Sequence, residues 1–300
     1  MPNKIKNLTL LSLTAAICVA GSVASAHTGI KDSGTEGVKL YTAFTISHGC
    51  ATNETAEGAA TSLSYDGNTA QKDVIAQSAL FPNAADSLAG IVDSAGYITT
   101  TLNIADVVDG VVAPAGLPLG LAATFPQVFP QSYIVRDSTG VARGFQSWGG
   151  VLPEGGGTLG LSGFAITPPK FKATSCAKTL KLQIAVANYC HTGTKAADKK
   201  SDRMDAWIGE MTTKFNDPLV MPNAAGTPVS TTDTRAKIYW PTLTISRNLT
   251  TNPLPSGCSP ATGYDVAIQP SRTDIDTYLP LAKPTKSHPK LVGKKFWPNI

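Results

Sequence analysis

Short runs in which β-branched and aromatic residues alternate with polar ones recur along this chain, and they leave few folds open to it. Val38 to Ser47 (VKLYTAFTIS), Thr179 to Ala187 (TLKLQIAVA) and Lys237 to Ser246 (KIYWPTLTIS) all have this texture. A period of two sends successive side chains to opposite faces of an extended backbone, so each run predicts a strand. Val74 to Phe81, Gly96 to Leu102, Leu159 to Thr167 and Tyr264 to Gln269 add further strands. Tyr133 to Arg136 and Ala142 to Trp148 flank Asp137-Ser138-Thr139-Gly140, which predicts a hairpin. With 27 glycines and 21 prolines to supply turns, the fold class is all-β with long loops.

The intervening segments read differently. Residues 51 to 70 predict a long surface loop, and Pro114, Pro118, Pro126 and Pro130 mark 113 to 130 as irregular. From Lys195 to Phe215 the chain is charged, and Met204, Trp207, Ile208 and Met211 recur at helical spacing. That predicts a surface helix opened by Asp202-Arg203-x-Asp205. Thr273 to Leu279 predicts one or two helical turns, and Lys283 to Lys295 a basic tail.

The N-terminal segment has the pattern of a secretory signal peptide. Lys4 and Lys6 form the basic region, Leu8 to Val19 the apolar region, and Ala24-Ser25-Ala26 the cleavage motif. The apolar run falls short of the ~20 residues a membrane-spanning helix needs. Cleavage after Ala26 makes His27 the first mature residue, and residues 1–26 the signal. It predicts a periplasmic or secreted protein with no transmembrane segment in the mature chain. Four cysteines remain after the signal: Cys50, Cys176, Cys190 and Cys258. In an exported chain they predict two disulfides, with three pairings open. Loss of Lys4 and Lys6 lowers the net charge of +4 to +2, which argues against nucleic acid as a partner.

Few residues are placed to carry chemistry. A mature N-terminal His27 offers a metal two nitrogens, its α-amine and its ring Nδ1. Copper(II) favours such tetragonal nitrogen and oxygen donors. An α-amine with an ordinary pKa near ~7.7 releases its proton readily at neutral pH. His48 follows a predicted strand two residues before Cys50, and His191 follows Cys190. If the disulfides draw those strand ends together, His48 and His191 approach one end of a sandwich. His288 belongs to the basic tail. No G-x-S-x-G elbow occurs, Asp202 and Asp205 lack the further acids of a calcium loop, and Gly155 to Gly157 precedes a strand rather than a phosphate-binding helix.

His27 at a mature N-terminus, a strand running into His48-Gly49-Cys50, and Trp148-Gly149-Gly150-Val151-Leu152-Pro153 ahead of a glycine turn and a Phe164-containing strand together resemble the YcnI-like proteins. The resemblance covers roughly residues 27 to 190, in pieces. It implies an immunoglobulin- or fibronectin-like β-sandwich that binds copper(II) through His27, with Trp148 close to the metal. That family also uses a carboxylate ligand from an acidic stretch. Here the corresponding stretch departs from the pattern, and Glu154 is the acid at hand.

The expected organisation is a signal peptide at 1–26, a YcnI-like sandwich at 27–195, a C-terminal extension of helix and strands at 196–280, and a flexible basic tail at 281–300. The expected function is copper storage, delivery or homeostasis, with Cu(II) as the bound ion. The metal-site candidates are His27, His48, His191, Trp148 and Glu154. An envelope copper transporter or acceptor protein is the expected partner. A metal-free structural or adhesive envelope protein is the alternative, and a copper-dependent oxidative enzyme is a third reading.

Overall fold

The computed structural model describes residues 28–47, 73–94, 96, 98–112, 116–125, 128–153, 159–190, 203–209, 212, 213, 215 and 240–280. The first strands are β1 (Gly29–Ile30), β2 (Gly34–Thr35), β3 (Leu40–Ile46), β4 (Val74–Leu80), β5 (Leu88–Val92) and β6 (Ile98–Thr101). After a single 3-10 turn (Ile104–Asp106) come β7 (Ala122–Phe125), β8 (Gln131–Arg136), β9 (Ala142–Leu152) and β10 (Gly160–Ile166). The rest are β11 (Ala177–Gln183), β12 (Ala185–Cys190), β13 (Arg203–Trp207), β14 (Thr242–Ser246), β15 (Tyr264–Gln269) and helix α1 (Arg272–Tyr278).

The strands form three packed sheets, in the orders β1-β3-β10-β7, β2-β14-β11-β15-β5-β6 and β13-β12-β4-β9-β8. One core cluster takes side chains from all three: Phe44 and Phe164 from the first, Leu180, Leu243 and Val266 from the second, Phe145 and Val186 from the third. Phe44, Phe81, Phe145 and Phe164 stack around one another with ring centroids 4.9–6.4 Å apart. Burying four such rings removes several hundred Å² of apolar surface from water, at roughly 25 cal/mol per Å². The described residues are therefore mostly β, with stacked sheets and one short α-helix, as the alternating runs require.

Several local expectations change. The run Thr179 to Ala187 is not one strand: it breaks at Ile184, and β11 and β12 join different sheets. In β11 half-buried Thr179 and Lys181 alternate with buried Leu180 and Leu182, whereas β12 is buried on both faces, and the run of sequence carries no turn signal at the junction. The expected helix between Lys195 and Phe215 is also corrected. Arg203–Trp207 is a strand, antiparallel to β12 with Ala187 opposite Ala206. Ala206 and Ile208 pack in one cluster and Trp207 in another, the opposite-face alternation of an extended chain. Within 113–130, taken as irregular, Ala122–Phe125 pairs with β10. The predicted hairpin forms, with β8 antiparallel to β9.

Trp148-Gly149-Gly150 has a backbone purpose. Against β4, Trp148 lies opposite Ala76 and Leu152 opposite Val74, so β9 carries extra residues in a bulge. Gly149 takes φ +89°, and a Cβ on Gly150 would lie 1.7 Å from the Val128 carbonyl oxygen. Only glycine fits either position.

Strands from beyond residue 196 pair directly with earlier ones, β14 and β15 on either side of β11. A disulfide joins Cys176 to Cys258, choosing one of the three open pairings. Helix α1 closes the outer face of the third sheet with Ile275 and Leu279, both fully buried. Ser271 caps it by accepting from the Asp274 amide, and Ser78 Oγ donates to the Leu279 carbonyl at 2.6 Å. No helix among the described residues is long and apolar enough to cross a membrane.

Candidate metal centre

Of the five residues singled out by sequence, Trp148 is described; His27, His48, Glu154 and His191 lie outside the described residues. Each of those four is nevertheless within one or two residues of a described one, and these flanks converge. Gly29 pairs with Thr45 and Ile30 with Phe44, so continuing the β1–β3 register sets Thr28 beside Ile46 at the end of β3. Ser47, the last described residue before His48, follows directly. Ile46 packs in a small cluster with Val74, Phe129 and Leu152. Val74 is in turn the register partner of both Leu152 on β9 and Cys190 on β12. Leu152 is two residues from Glu154, and Cys190 is next to His191. Three strand ends and the start of the first strand thus meet around one apolar cluster.

A buried polar chain links β4, β12 and Thr28. Gln77 Nε2 donates to Asn188 Oδ1 at 2.8 Å, and Asn188 Nδ2 donates to Thr28 Oγ1 at 2.7 Å. Gln77, Asn188 and Thr28 are each at least 95% buried. Gln77 Oε1 and Ser47 Oγ are buried and have no hydrogen-bond partner among the described residues. A buried acceptor without a donor costs roughly 1–3 kcal/mol, so such atoms mark where a further polar group is needed.

Trp148 sits elsewhere. Its register partner Ala76 and its neighbours Leu80, Trp240, Ile275 and Leu279 belong to the cluster under α1. Gln77 follows Ala76 and therefore faces the other side of the sheet. Trp148 is an aromatic anchor of the layer beneath the helix, and its Nε1 has no partner among the described residues.

Sequence reasoning passed over Thr28, Gln77 and Asn188. The available signal was a carboxamide in the middle of an otherwise apolar strand: Gln77 in VIAQSAL and Asn188 in AVANYC.

The other concentration of charge joins helix to sheet. Arg143, 4% exposed at its side chain, holds Asp274 on α1 at 2.5 Å and lies 3.9 Å from Asp137. The Arg143 guanidinium also stands 5.7 Å from the Tyr278 ring centre. Burial raises the Asp274 carboxyl above the ordinary value of 3.8; Arg143 opposes that rise, while Asp86 and Asp137 add to it. Burial also acts upward on Asp137, but hydrogen bonds from Thr139 and Val141, with the charge of Arg143, leave it below 3.8. This network fastens α1 to the third sheet.

A second buried carboxylate is fully engaged. Glu36 accepts from the amides of Phe171 and Asn248 and from Asn252 Nδ2, at 2.6–2.9 Å. Among the described residues, no group of three or more His, Cys, Asp or Glu side chains is gathered to hold a metal.

Comparison with known proteins adds no relative: no family model, curated protein or solved structure matches this chain.

Proposed function

We propose that this is an exported copper(II)-binding protein of the cell envelope, resembling the YcnI-like family, that stores or delivers the ion through its mature N-terminal His27. The observation that supports this reading is the convergence of Thr28, Ser47, Leu152 and Cys190 on the Ile46–Val74 cluster. Those residues adjoin His27, His48, Glu154 and His191, which come from four distant parts of the sequence. Two buried acceptors also support it: Ser47 Oγ, one residue after Ile46, and Oε1 of Gln77, which is linked to Thr28 through Asn188, have no partner among the described residues. In this reading the amine and ring of His27 bind copper, with His48, His191 or Glu154 completing the set. Copper held this way supplies an exchangeable Lewis-acidic ion for transfer to an envelope transporter or acceptor.

The test is titration of the protein beginning at His27 with Cu(II), beside a version carrying one extra residue before His27. One equivalent bound by the first and none by the second is the expected result. Equal affinity in the two removes His27 from the site. Absence of binding with self-association instead favours a structural envelope protein.

A further inference from the structure

We propose that the surface around Glu36 docks on an anionic phospholipid bilayer, inserting Val38, Leu249 and Tyr41 and meeting lipid phosphates with Lys39, Lys170 and Lys172. Glu36 precedes β3, whereas the strand ends next to the copper candidates lie beyond Ile46, at the other end of that strand. Docking and copper binding are therefore separate properties, and neither depends on the other.

One buried carboxylate gathers the surface. Glu36 accepts from the Phe171 and Asn248 amides and from Asn252 Nδ2, which fastens the turn before β3, the Lys170–Lys172 segment and the turn after β14 together. Buried Arg247 reinforces the knot by donating to the carbonyls of Lys172, Ser175, Asn252 and Pro253. The outer residues of these segments are left in water. Val38, two residues after Glu36, is 56% exposed, Tyr41 is 57% exposed, and Leu249, next to Asn248, is 44% exposed. Scattered single apolar side chains on a surface are ordinary. Here three of the six large ones left exposed among the described residues come from two turns joined through a single carboxylate.

Charge selects the occupant. Lys39 Nζ stands 5.0 Å from the Tyr41 ring centre, and the Lys170 stem lies on Gly37, where a Cβ would be 3.0 Å from its Cε. Lys170 and Lys172 flank buried Phe171. None of these three lysines is ion-paired among the described residues, whereas Lys31 and Lys181 are held by Asp32 and Asp265. Exposed Asp106 and Asp109 belong to the segment that pairs with the opposite edge of Lys170–Lys172, through Val107 and Asp109, while the Phe171 amide turns toward Glu36. The margin carrying Val38 and Leu249 is thus left with cations. Apolar tips beside lysines suit a bilayer interface, where aliphatic groups enter the acyl boundary, a tyrosine sits at headgroup level and lysines reach phosphates. An acidic polymer would engage the lysines and leave Val38 and Leu249 in water.

The experiment is sedimentation with vesicles of phosphatidylcholine mixed with phosphatidylglycerol, beside vesicles of phosphatidylcholine alone, at low and high salt. It uses the protein beginning at His27, so that the apolar run Leu8 to Val19 takes no part. Binding to the mixed vesicles that weakens with salt is the expected result. A lysine near an anionic surface adds about fivefold to binding, so Lys39→Gln combined with Lys170→Gln should weaken it by at least about tenfold. Val38→Ser combined with Leu249→Ser should weaken binding to the mixed vesicles at both salt concentrations, and Lys181→Gln, on the second sheet, should leave it unchanged. Each substitution changes an exposed or half-exposed side chain, so melting temperatures should stay at the wild-type value. Equal binding to both kinds of vesicle, no vesicle binding by the unsubstituted protein, or binding that survives both double substitutions overturns the proposal. Retention on a polyaspartate column without vesicle binding assigns the lysines to an acidic polymer and overturns it as well.

Discussion

Arg143 on β9 and Asp274 on α1, 131 residues apart in sequence, meet as a buried ion pair 2.5 Å long. This contact ties the only helix among the described residues to the third sheet, and the fate of the helix depends on it.

Replacing Arg143 by Met leaves the Asp274 carboxylate buried without its cation. Breaking such a pair from one side costs about 3 kcal/mol. Asp274 carries a pKa raised above 3.8, first by burial. A raised carboxyl contributes stability that is complete below 3.8 and is lost as pH rises through the folded value. The deficit of Arg143→Met should therefore be largest near neutrality and shrink on acidification, as the orphaned carboxyl takes up a proton. Urea unfolding of both proteins at pH 7 and pH 4 measures this; a deficit independent of pH refutes it.

The Cys176–Cys258 bridge closes a loop with a sequence separation of 82. Loop-closure entropy for that span gives about 4 kcal/mol of stabilisation. Substituting both cysteines by Ser should lower the unfolding free energy by that order in chemical denaturation. Loss under 1 kcal/mol would mean the unfolded chain is already constrained.

Cys50 and Cys190 should form the second disulfide. Ile46 packs against Val74, and Val74 is the register partner of Cys190. The chain from Ile46 to Cys50 reaches at most ~14 Å when extended. Peptide mapping of the unreduced exported protein should give one crosslinked peptide pair containing Cys50 and Cys190. Two free thiols there would refute the pairing.

Two glycine substitutions separate steric from conformational need. A Cβ at Gly150 meets a backbone oxygen at 1.7 Å, whereas one at Gly140, with φ +87°, meets nothing within 4 Å. Gly150→Ala should cost about 3 kcal/mol by overpacking, and Gly140→Ala about 1 kcal/mol from its left-handed backbone. Equal melting temperatures for the two variants would refute the bulge assignment.

For the candidate site, the sequence offered residues one at a time: His27 through its cleavage motif, His48 and His191 through their strand ends, and Glu154 through the resemblance. It could not offer Thr28, Gln77 and Asn188 as a unit, because their hydrogen bonds span 111 and 160 residues. Trp148 was legible as a buried aromatic, but which face of the sheet it occupies follows from its pairing opposite Ala76 on β4, which is non-local.

The sequence by itself determined where extended chain and turns lie. Tyr264–Gln269 has the strand bounds expected from its residues, and the helical turns expected over Thr273 to Leu279 appear as Arg272–Tyr278. These signals are local, resting on side-chain alternation and on the Ser271 cap. Only the tertiary structure decided which sheet each strand joins. Thr179 to Ala187 looks continuous yet divides at Ile184 between two sheets, and Leu88–Val92 was hidden in a run with no alternation. Arg203–Trp207 took a strand because β12 offered it a hydrogen-bonded edge and its two faces each found a core. Pairing and two-sided burial are non-local, and they outweigh a helical spacing that has nothing of its own to pack against.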